Sequence, residues 1–193
     1  QQAGQAGVRL DDSPLQQALH ELSNNFDKVH GGFGGAPKFP HAANLLLLLR
    51  MESKEPRKMA LYSLRKMAEG GLLDQLGGGF YRYSVDEQWE IPHFEKMLYD
   101  NGTLLQCYVE AWQLSGDDLF RKVAERTADW VMREMQTPEG GYCASQDADT
   151  NGEEGGFYVW TKKEWSSLLT EKEYALARRH FALNQPANFE GRW

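Results

Sequence analysis

The chain has 193 residues, of which 41% are hydrophobic and 25% are charged, as expected for one soluble globular domain with a buried core. Its 28 acidic residues outnumber its 21 basic residues, and the net charge of -7 disfavours nucleic acid or an anionic membrane surface as the main partner. No stretch approaches the ~20 apolar residues that cross a bilayer, and two cysteines are too few for a disulfide framework or a four-cysteine zinc site.

The first residues, QQAGQAGVRL, lack the apolar segment of a signal peptide. We interpret residues 1–11 as a linker or disordered lead-in and residues 12–193 as the folded domain. With no targeting signal recognised, we expect the protein to be cytoplasmic.

Apolar residues at intervals of three and four predict five helices before Thr137. A capping box at Ser13 begins the first helix, and Asp117 caps the fifth. The predicted bounds are about 13–29, 41–51, 56–69, 99–114 and 118–136. A short strand is predicted over 157–160, then a second capping box at Thr161 and a last helix over about 171–181.

Glycine followed by an aromatic residue recurs between these helices, as Gly32-Phe33, Gly79-Phe80 and Gly141-Tyr142. The intervals are about 47 and 62 residues. Helical hairpins joined by similar loops on one side are typical of a repeat architecture. The sequence therefore predicts stacked hairpins whose glycine loops gather at one end.

The segment between residues 74 and 105 concentrates groups that exchange protons. His93 lies close in sequence to Glu95, Lys96 and Asp100. A neutral imidazole near a carboxylate is the usual arrangement for general acid–base catalysis. The sequence leaves open the alternative that His93 only caps a helix or packs.

Aromatic residues in the same segment suggest a cleft for sugars, because flat rings stack on C–H faces while polar groups meet the hydroxyls. Trp89 has mostly polar or charged neighbours and is expected to face such a cleft. Core packing is the alternative for aromatic residues in a helical protein, and it is expected for Phe80 and Phe157.

The acidic run DADTNGEE matches an EF-hand loop only in part, because Tyr158 occupies the position where a bidentate glutamate is needed. We predict no metal and no cofactor. Paired carboxylates can instead flank a glycosidic bond. Asp86 or Glu95 would supply one of them, and Asp147 or Asp149 the other.

Three segments carry a family resemblance: GGFGGAPKFPHAANLLLLLR, GGGFYRYSVDEQWEIPHFEKMLYDN and GGYCASQDADTNGEEGGFYVW. They resemble signature segments of the spermatogenesis-associated, thioredoxin-domain protein family. Its members join a thioredoxin-like domain to an (α/α)6 toroid similar to N-acylglucosamine 2-epimerases and six-hairpin glycosidases. The resemblance implies an all-α chain that forms the first half of the toroid over residues 12–193, with a short β-hairpin in a loop and no thioredoxin-like domain.

The functional hypothesis is a fragment of a carbohydrate-processing domain of epimerase, isomerase or hydrolase type, which binds a saccharide in an acidic aromatic cleft. The expected catalytic residues are His93, Glu95, Asp86, Asp147 and Asp149. The expected ligand contacts are Tyr81, Arg82, Trp89, Lys96, Asp100, Asn101 and Tyr158. The alternative is a non-catalytic domain that binds a protein or peptide. A toroid cut at half its length also predicts self-association through the exposed apolar flank.

Overall fold

Apolar stripes separated by glycine and proline stops produce seven α-helices in the residues that the computed structural model describes, which are 11–189 and 191–192. The helices are α1 (Ser13–Asn25), α2 (Ala42–Arg50), α3 (Lys54–Glu69), α4 (Leu98–Ser115), α5 (Asp118–Trp130), α6 (Lys162–Leu168) and α7 (Glu171–His180). Three antiparallel strand pairs lie in the connections: β1 (Tyr83–Ser84) with β2 (Pro92–His93), β3 (Lys96–Met97) with β4 (Ser145–Gln146), and β5 (Asp149–Thr150) with β6 (Glu153–Glu154). The all-α class is confirmed, whereas the predicted lead-in over 1–11 falls outside the described residues except for Asp11.

Helices α2 and α4 pack side by side, and each also packs against the helix that follows it, so α2–α3 and α4–α5 are successive hairpins. Leu45, Leu48 and Leu49 of α2 are at most 1% exposed. The Tyr108 hydroxyl of α4 donates to the Leu64 carbonyl of α3 at 2.7 Å. No helix within the described ranges is long and apolar enough to cross a membrane.

The glycine-rich connections are hydrogen-bonded to one another at one end of the hairpins. The Lys38 and Ser84 backbones exchange two hydrogen bonds, of 2.7 and 2.9 Å, which join the first connection to the second. The pairing of Lys96 with Gln146 in β3–β4 joins the second to the third. The loops therefore form one continuous surface, as the repeat pattern predicts.

The first two loops repeat one hydrogen-bonding pattern 47 residues apart. Asp27 Oδ1 accepts two backbone N–H groups, at 2.8 and 2.9 Å, and Asp74 Oδ1 accepts two at 3.0 and 2.8 Å. Each aspartate also pairs with a lysine that is 0% exposed: Asp27 with Lys38 at 2.5 Å, and Asp74 with Lys96 at 2.8 Å. The repeat therefore includes two buried ion pairs that the glycine pattern did not reveal.

Two helices end earlier than predicted. Helix α1 ends at Asn25 because Phe26 becomes extended and bridges Phe33 across the first loop. Helix α5 ends at Trp130 and continues as a π-helical turn, Val131–Met135.

The predicted strand over 157–160 does not form. The N–H groups of Tyr158 and Val159 both donate to the Gly155 carbonyl, at 2.8 and 3.0 Å, which makes this segment a turn. Phe157 is 73% exposed and does not belong to the core, because the turn directs its ring outward. The short β-hairpin is instead formed by β5 and β6.

The predicted helix caps have different outcomes. Ser13 does not cap α1, because its own N–H and hydroxyl donate to Asp11 at 3.0 and 2.6 Å. Asp117 caps α5 by accepting from the Leu119 N–H, as predicted. The capping box at Thr161 is also confirmed.

Candidate functional site

The N-terminal ends of α2 and α4 meet at the loop surface and border an open cavity of about 320 Å³. Its polar lining includes His41 and Asn44 from the start of α2, and Asp100 and Thr103 from the first turns of α4. Of these four residues, only Asp100 was predicted from the sequence as a site residue. His41 has a φ of 50°, in the left-handed region that residues other than glycine rarely adopt.

A cluster of charged residues lies on and beside the β1–β2 strand pair, and its Arg82 and Glu95 charges act on Asp100. Arg82 Nη1 donates to Glu95 Oε2 at 2.8 Å, and His93 Nε2 lies 3.8 Å from the same oxygen. His93 Nδ1 lies 2.6 Å from Glu154 Oε1. The structure thus brings the predicted Arg82, His93 and Glu95 together and adds Glu154.

The pKa of Asp100 depends on the charges of this cluster. Burial, with a smaller contribution from the Glu95 charge, raises this pKa to about 6 against the opposing effect of the Arg82 charge. A carboxyl group with a pKa of about 6 can exchange a proton near neutral pH. Asp100 therefore links the cavity between the two helices to the charged cluster.

Four rings form a row along this surface. Tyr83 stacks on His93, with ring centroids 4.8 Å apart and an interplanar angle of 16°. Phe39 lies 4.7 Å from Tyr83 and 6.3 Å from His41. Tyr83 faces His93 because the two residues are register partners in β1 and β2. In the sequence, the alternation of aromatic and charged residues in YRYS was the signal that could have indicated this row of rings.

A second group of predicted ligand residues surrounds Lys96. Its ammonium donates to Asp74 and to the Gly78 carbonyl, both at 2.8 Å, and lies 4.7 Å from the Tyr81 ring and 5.2 Å from the Tyr158 ring. An adjacent cavity of about 370 Å³ is lined by Lys96, Asp74 and Tyr158, and also by Asp147. Because Lys96 is 0% and Tyr81 4% exposed, these two side chains hold the loop together rather than present groups to solvent.

Burial shifts the pKa values of the residues around Lys96. It raises the pKa of Tyr81 far above its ordinary value and the pKa of Tyr158 to about 12, so both phenols stay protonated. It also lowers the pKa of Lys96, and Asp74 offsets part of that effect. Burial alone would raise the pKa of Asp74, but the hydrogen bond and charge of Lys96, with two backbone N–H groups, hold it below its ordinary value.

Three other predicted site residues are positioned as parts of the scaffold. Trp89 is 0% exposed, and its indole N–H donates to the His30 carbonyl at 2.9 Å, so the expectation that it faces a cleft is corrected. The Asp86 carboxylate accepts backbone N–H groups of its own loop, at 2.6 to 3.1 Å. Asn101 is 0% exposed and bonds both backbone groups of Phe80, at 2.6 and 2.9 Å.

The remaining carboxylates, Asp147 and Asp149, are exposed at the β5–β6 hairpin. Asp147 Oδ1 accepts the Asp149 N–H at 3.1 Å, and Asp149 is the register partner of Glu154. Glu154, rather than either aspartate, reaches His93. In the part of the chain that the structure describes, no group of three or more histidine, cysteine, aspartate or glutamate residues is arranged to hold a metal ion.

No protein-family model matches the chain. Two curated relatives, spermatogenesis-associated protein 20 of Homo sapiens and of Mus musculus, are each 37% identical to it in an alignment 195 residues long. The alignment covers 89% of this chain but only 25% of each relative, so the chain spans about a quarter of their length. The chain is a homologue of part of spermatogenesis-associated protein 20.

Solved sugar epimerases share the fold of this homologue. A cellobiose 2-epimerase from Bacillus thermoamylovorans has a TM-score of 0.58 at 16% identity, over 69% of this chain and 40% of that one. A sugar epimerase from a ruminal bacterium has a TM-score of 0.56 at 16% identity, over 90% of this chain and 54% of the other. These are toroids of the epimerase type, and the helical hairpins described above form part of one. At this level of identity the likeness concerns the fold.

Proposed function

We propose that the loop surface at the N-terminal ends of α2 and α4 binds a saccharide and carries out proton transfer on it. The observation that supports this most directly is the row of rings ending at His93, which lies beside Glu95. Glu95 in turn acts on the pKa of Asp100. Rings of this kind can stack on the C–H face of a sugar, and the surrounding carboxylates and guanidinium can bind its hydroxyls. The fold shared with sugar epimerases also favours a carbohydrate substrate.

In this proposal His93 exchanges a proton with the sugar through Nε2. Glu95 and Arg82, joined at 2.8 Å, hold charge of both signs near that atom. Asp100, with a pKa of about 6, supplies or accepts a second proton from the side of the helix ends. Epimerisation, isomerisation and hydrolysis all need such transfers, so the site is assigned to this group of reactions.

Saccharide-array binding tests the proposal. We expect the wild-type chain to bind a subset of immobilised saccharides and His93→Ala to lose that binding. The matched control is His20→Ala, because His20 is an exposed histidine on α1. Absence of saccharide binding by the wild type, or equal loss in both variants, would contradict the proposal.

A second candidate function, a domain that binds a protein or peptide without catalysis, is favoured by one observation. Leu76 is 91% and Phe157 73% exposed, and both line a largely apolar groove of about 610 Å³. Exposed apolar residues around a groove commonly mark an interaction site. Peptide-display selection against the wild type, with Leu76→Glu as the counter-selected variant, would recover groove-dependent peptides if this candidate is right and none if it is not.

A further inference from the structure

The imidazole of His93 is held on three sides. Tyr83 covers one face of the ring, Glu154 lies 2.6 Å from Nδ1, and Glu95 lies 3.8 Å from Nε2. An ionised carboxylate can only accept a hydrogen bond, so Nδ1 must be the protonated nitrogen when it bonds Glu154. In the neutral ring Nε2 is then the unprotonated nitrogen, the form required of a general base.

We propose that Glu154 is a positioning residue, which fixes the tautomer and orientation of His93 from a β-hairpin 61 residues away in sequence. The proposal rests on the proposed function for its catalytic meaning, but its structural statement about His93 can be tested alone. Glu154 was not among the predicted site residues, because in the sequence it is only one carboxylate of the acidic run DADTNGEE.

The hairpin that carries Glu154 is built as a fixed support. Its two-residue turn, Asn151-Gly152, has positive φ angles of 56° and 80°, the geometry that favours a tight hairpin. The N–H of Gly155, just after the hairpin, donates to the Ala148 carbonyl at 2.9 Å, which closes its base. Gly155 also lies against the Phe94 ring, because a Cβ added there would meet that ring at 2.6 Å. The neighbouring Glu153 is bound by Arg192 at 2.8 Å.

A contribution to the stability of the fold does not explain the contact between His93 and Glu154. The side chains of His93 and Glu154 are 23% and 40% exposed. Ion pairs exposed to this degree contribute little to the free energy of unfolding. A carboxylate that holds an acid–base histidine in the required tautomer and orientation, in contrast, has a large effect on activity. The short distance between a hairpin carboxylate and a proposed acid–base residue therefore points to positioning.

The decisive measurement is the 15N chemical shift of the two ring nitrogens of His93, which reports the tautomer without any saccharide. In the wild-type 193-residue chain we expect the neutral ring to be protonated at Nδ1. In Glu154→Ala we expect the neutral ring to be no longer protonated mainly at Nδ1. In Glu154→Asp we expect the fraction protonated at Nδ1 to be partly restored. Glu153→Gln is the control, because it removes a carboxylate charge from the same hairpin, keeps an oxygen that can accept from Arg192 and leaves the Glu154 contact with His93 in place.

An unchanged His93 tautomer in Glu154→Ala, or an equal change in Glu153→Gln, would overturn the proposal. For a saccharide that the chain converts, Glu154→Ala should lower kcat by roughly 10-fold or more, because the imidazole loses the group that fixes its tautomer, with KM little changed. If the wild type binds no saccharide while the tautomer still depends on Glu154, the proposed function fails and the positioning role remains. The two ideas are thereby separated.

Discussion

At the scale of single residues, Asp74 and Lys96 show how the loop surface keeps charges inside. Lys96 is 0% exposed, and both hydrogen-bond acceptors around its ammonium lie 2.8 Å away. Three rings also surround it, at 4.7 to 5.2 Å. Removing one partner of such a pair leaves the other charge without compensation, whereas removing both does not.

We therefore predict that Lys96→Met lowers the free energy of unfolding by about 3–5 kcal/mol, measured by urea denaturation. The double variant Lys96→Met, Asp74→Leu should recover much of that loss. As a control, Lys122→Met breaks an exposed pair with Asp118 and should change stability little. Equal instability of the single and double variants would contradict this account.

Asp100 gives a prediction about pH. Its pKa in the folded protein, about 6, is raised above the ordinary value of 3.8, so the carboxyl group binds its proton more tightly when folded. The resulting stabilisation is complete below about pH 4 and is lost as the pH rises through 6.

Asp100→Asn, which stays neutral, should therefore be more stable than the wild type at pH 8, by about 1 kcal/mol after allowance for the solvent around this half-buried group. The advantage should disappear at pH 4. Urea denaturation of both proteins at the two pH values provides the measurement, and a difference independent of pH would show that Asp100 ionises normally.

At the scale of elements, the glycine loops are fixed by what packs on them. Gly79 has a φ of +75°, and a Cβ added there would lie 2.4 Å from the Trp130 ring. Gly116, which follows α4, has a similar φ of +69° but nothing within 4 Å of the added Cβ. Both positions thus require a positive φ, but only Gly79 is packed against another side chain.

We predict that Gly79→Ala lowers the free energy of unfolding by roughly 2–5 kcal/mol, from left-handed backbone strain plus overpacking. Gly116→Ala should introduce only the backbone strain and lower the free energy of unfolding by about 1–2 kcal/mol. Thermal and urea denaturation of the two variants would compare these effects directly. Equal losses would mean that Trp130 moves aside at little cost.

Most helix positions were predictable from the sequence, whereas several contacts between residues distant in sequence were not. Leucine and aromatic spacing locates α2 through α5 because packing along one helix face repeats every three or four residues. The burial of Trp89 was not predictable, since its neighbours in sequence are polar and its partner, Gly32, lies 57 residues earlier. The buried Asp74–Lys96 pair joins residues 22 apart across a loop, a separation without a periodic signal. Aligning the first two loops, 47 residues apart, would have matched Asp27 with Asp74 and marked both as structural.

At the scale of the whole molecule, the chain corresponds to 54% of the ruminal sugar epimerase that it resembles in fold. Helices α6 and α7 pack against each other and expose Leu168 by 67% and Leu176 by 61%. Apolar side chains in such positions are available to a neighbouring hairpin or to a second copy of the chain.

We predict that the 193-residue chain self-associates in sedimentation velocity as its concentration rises, and that Leu168→Glu with Leu176→Glu weakens the association. Leu76→Glu removes an exposed leucine from the loop surface instead and serves as the control. A monomer at every concentration, or an equal effect of the control, would rule out association through α6 and α7.

The bonds between successive loops also set an order of assembly. The Lys38 backbone finds its partner at Ser84, and the Lys96 backbone finds its partner at Gln146. A ribosome delivering this chain from its N-terminus therefore leaves every loop with an open edge until the next one emerges. We therefore expect nascent chains halted between residues 38 and 84 to be cut by proteases at the first loop.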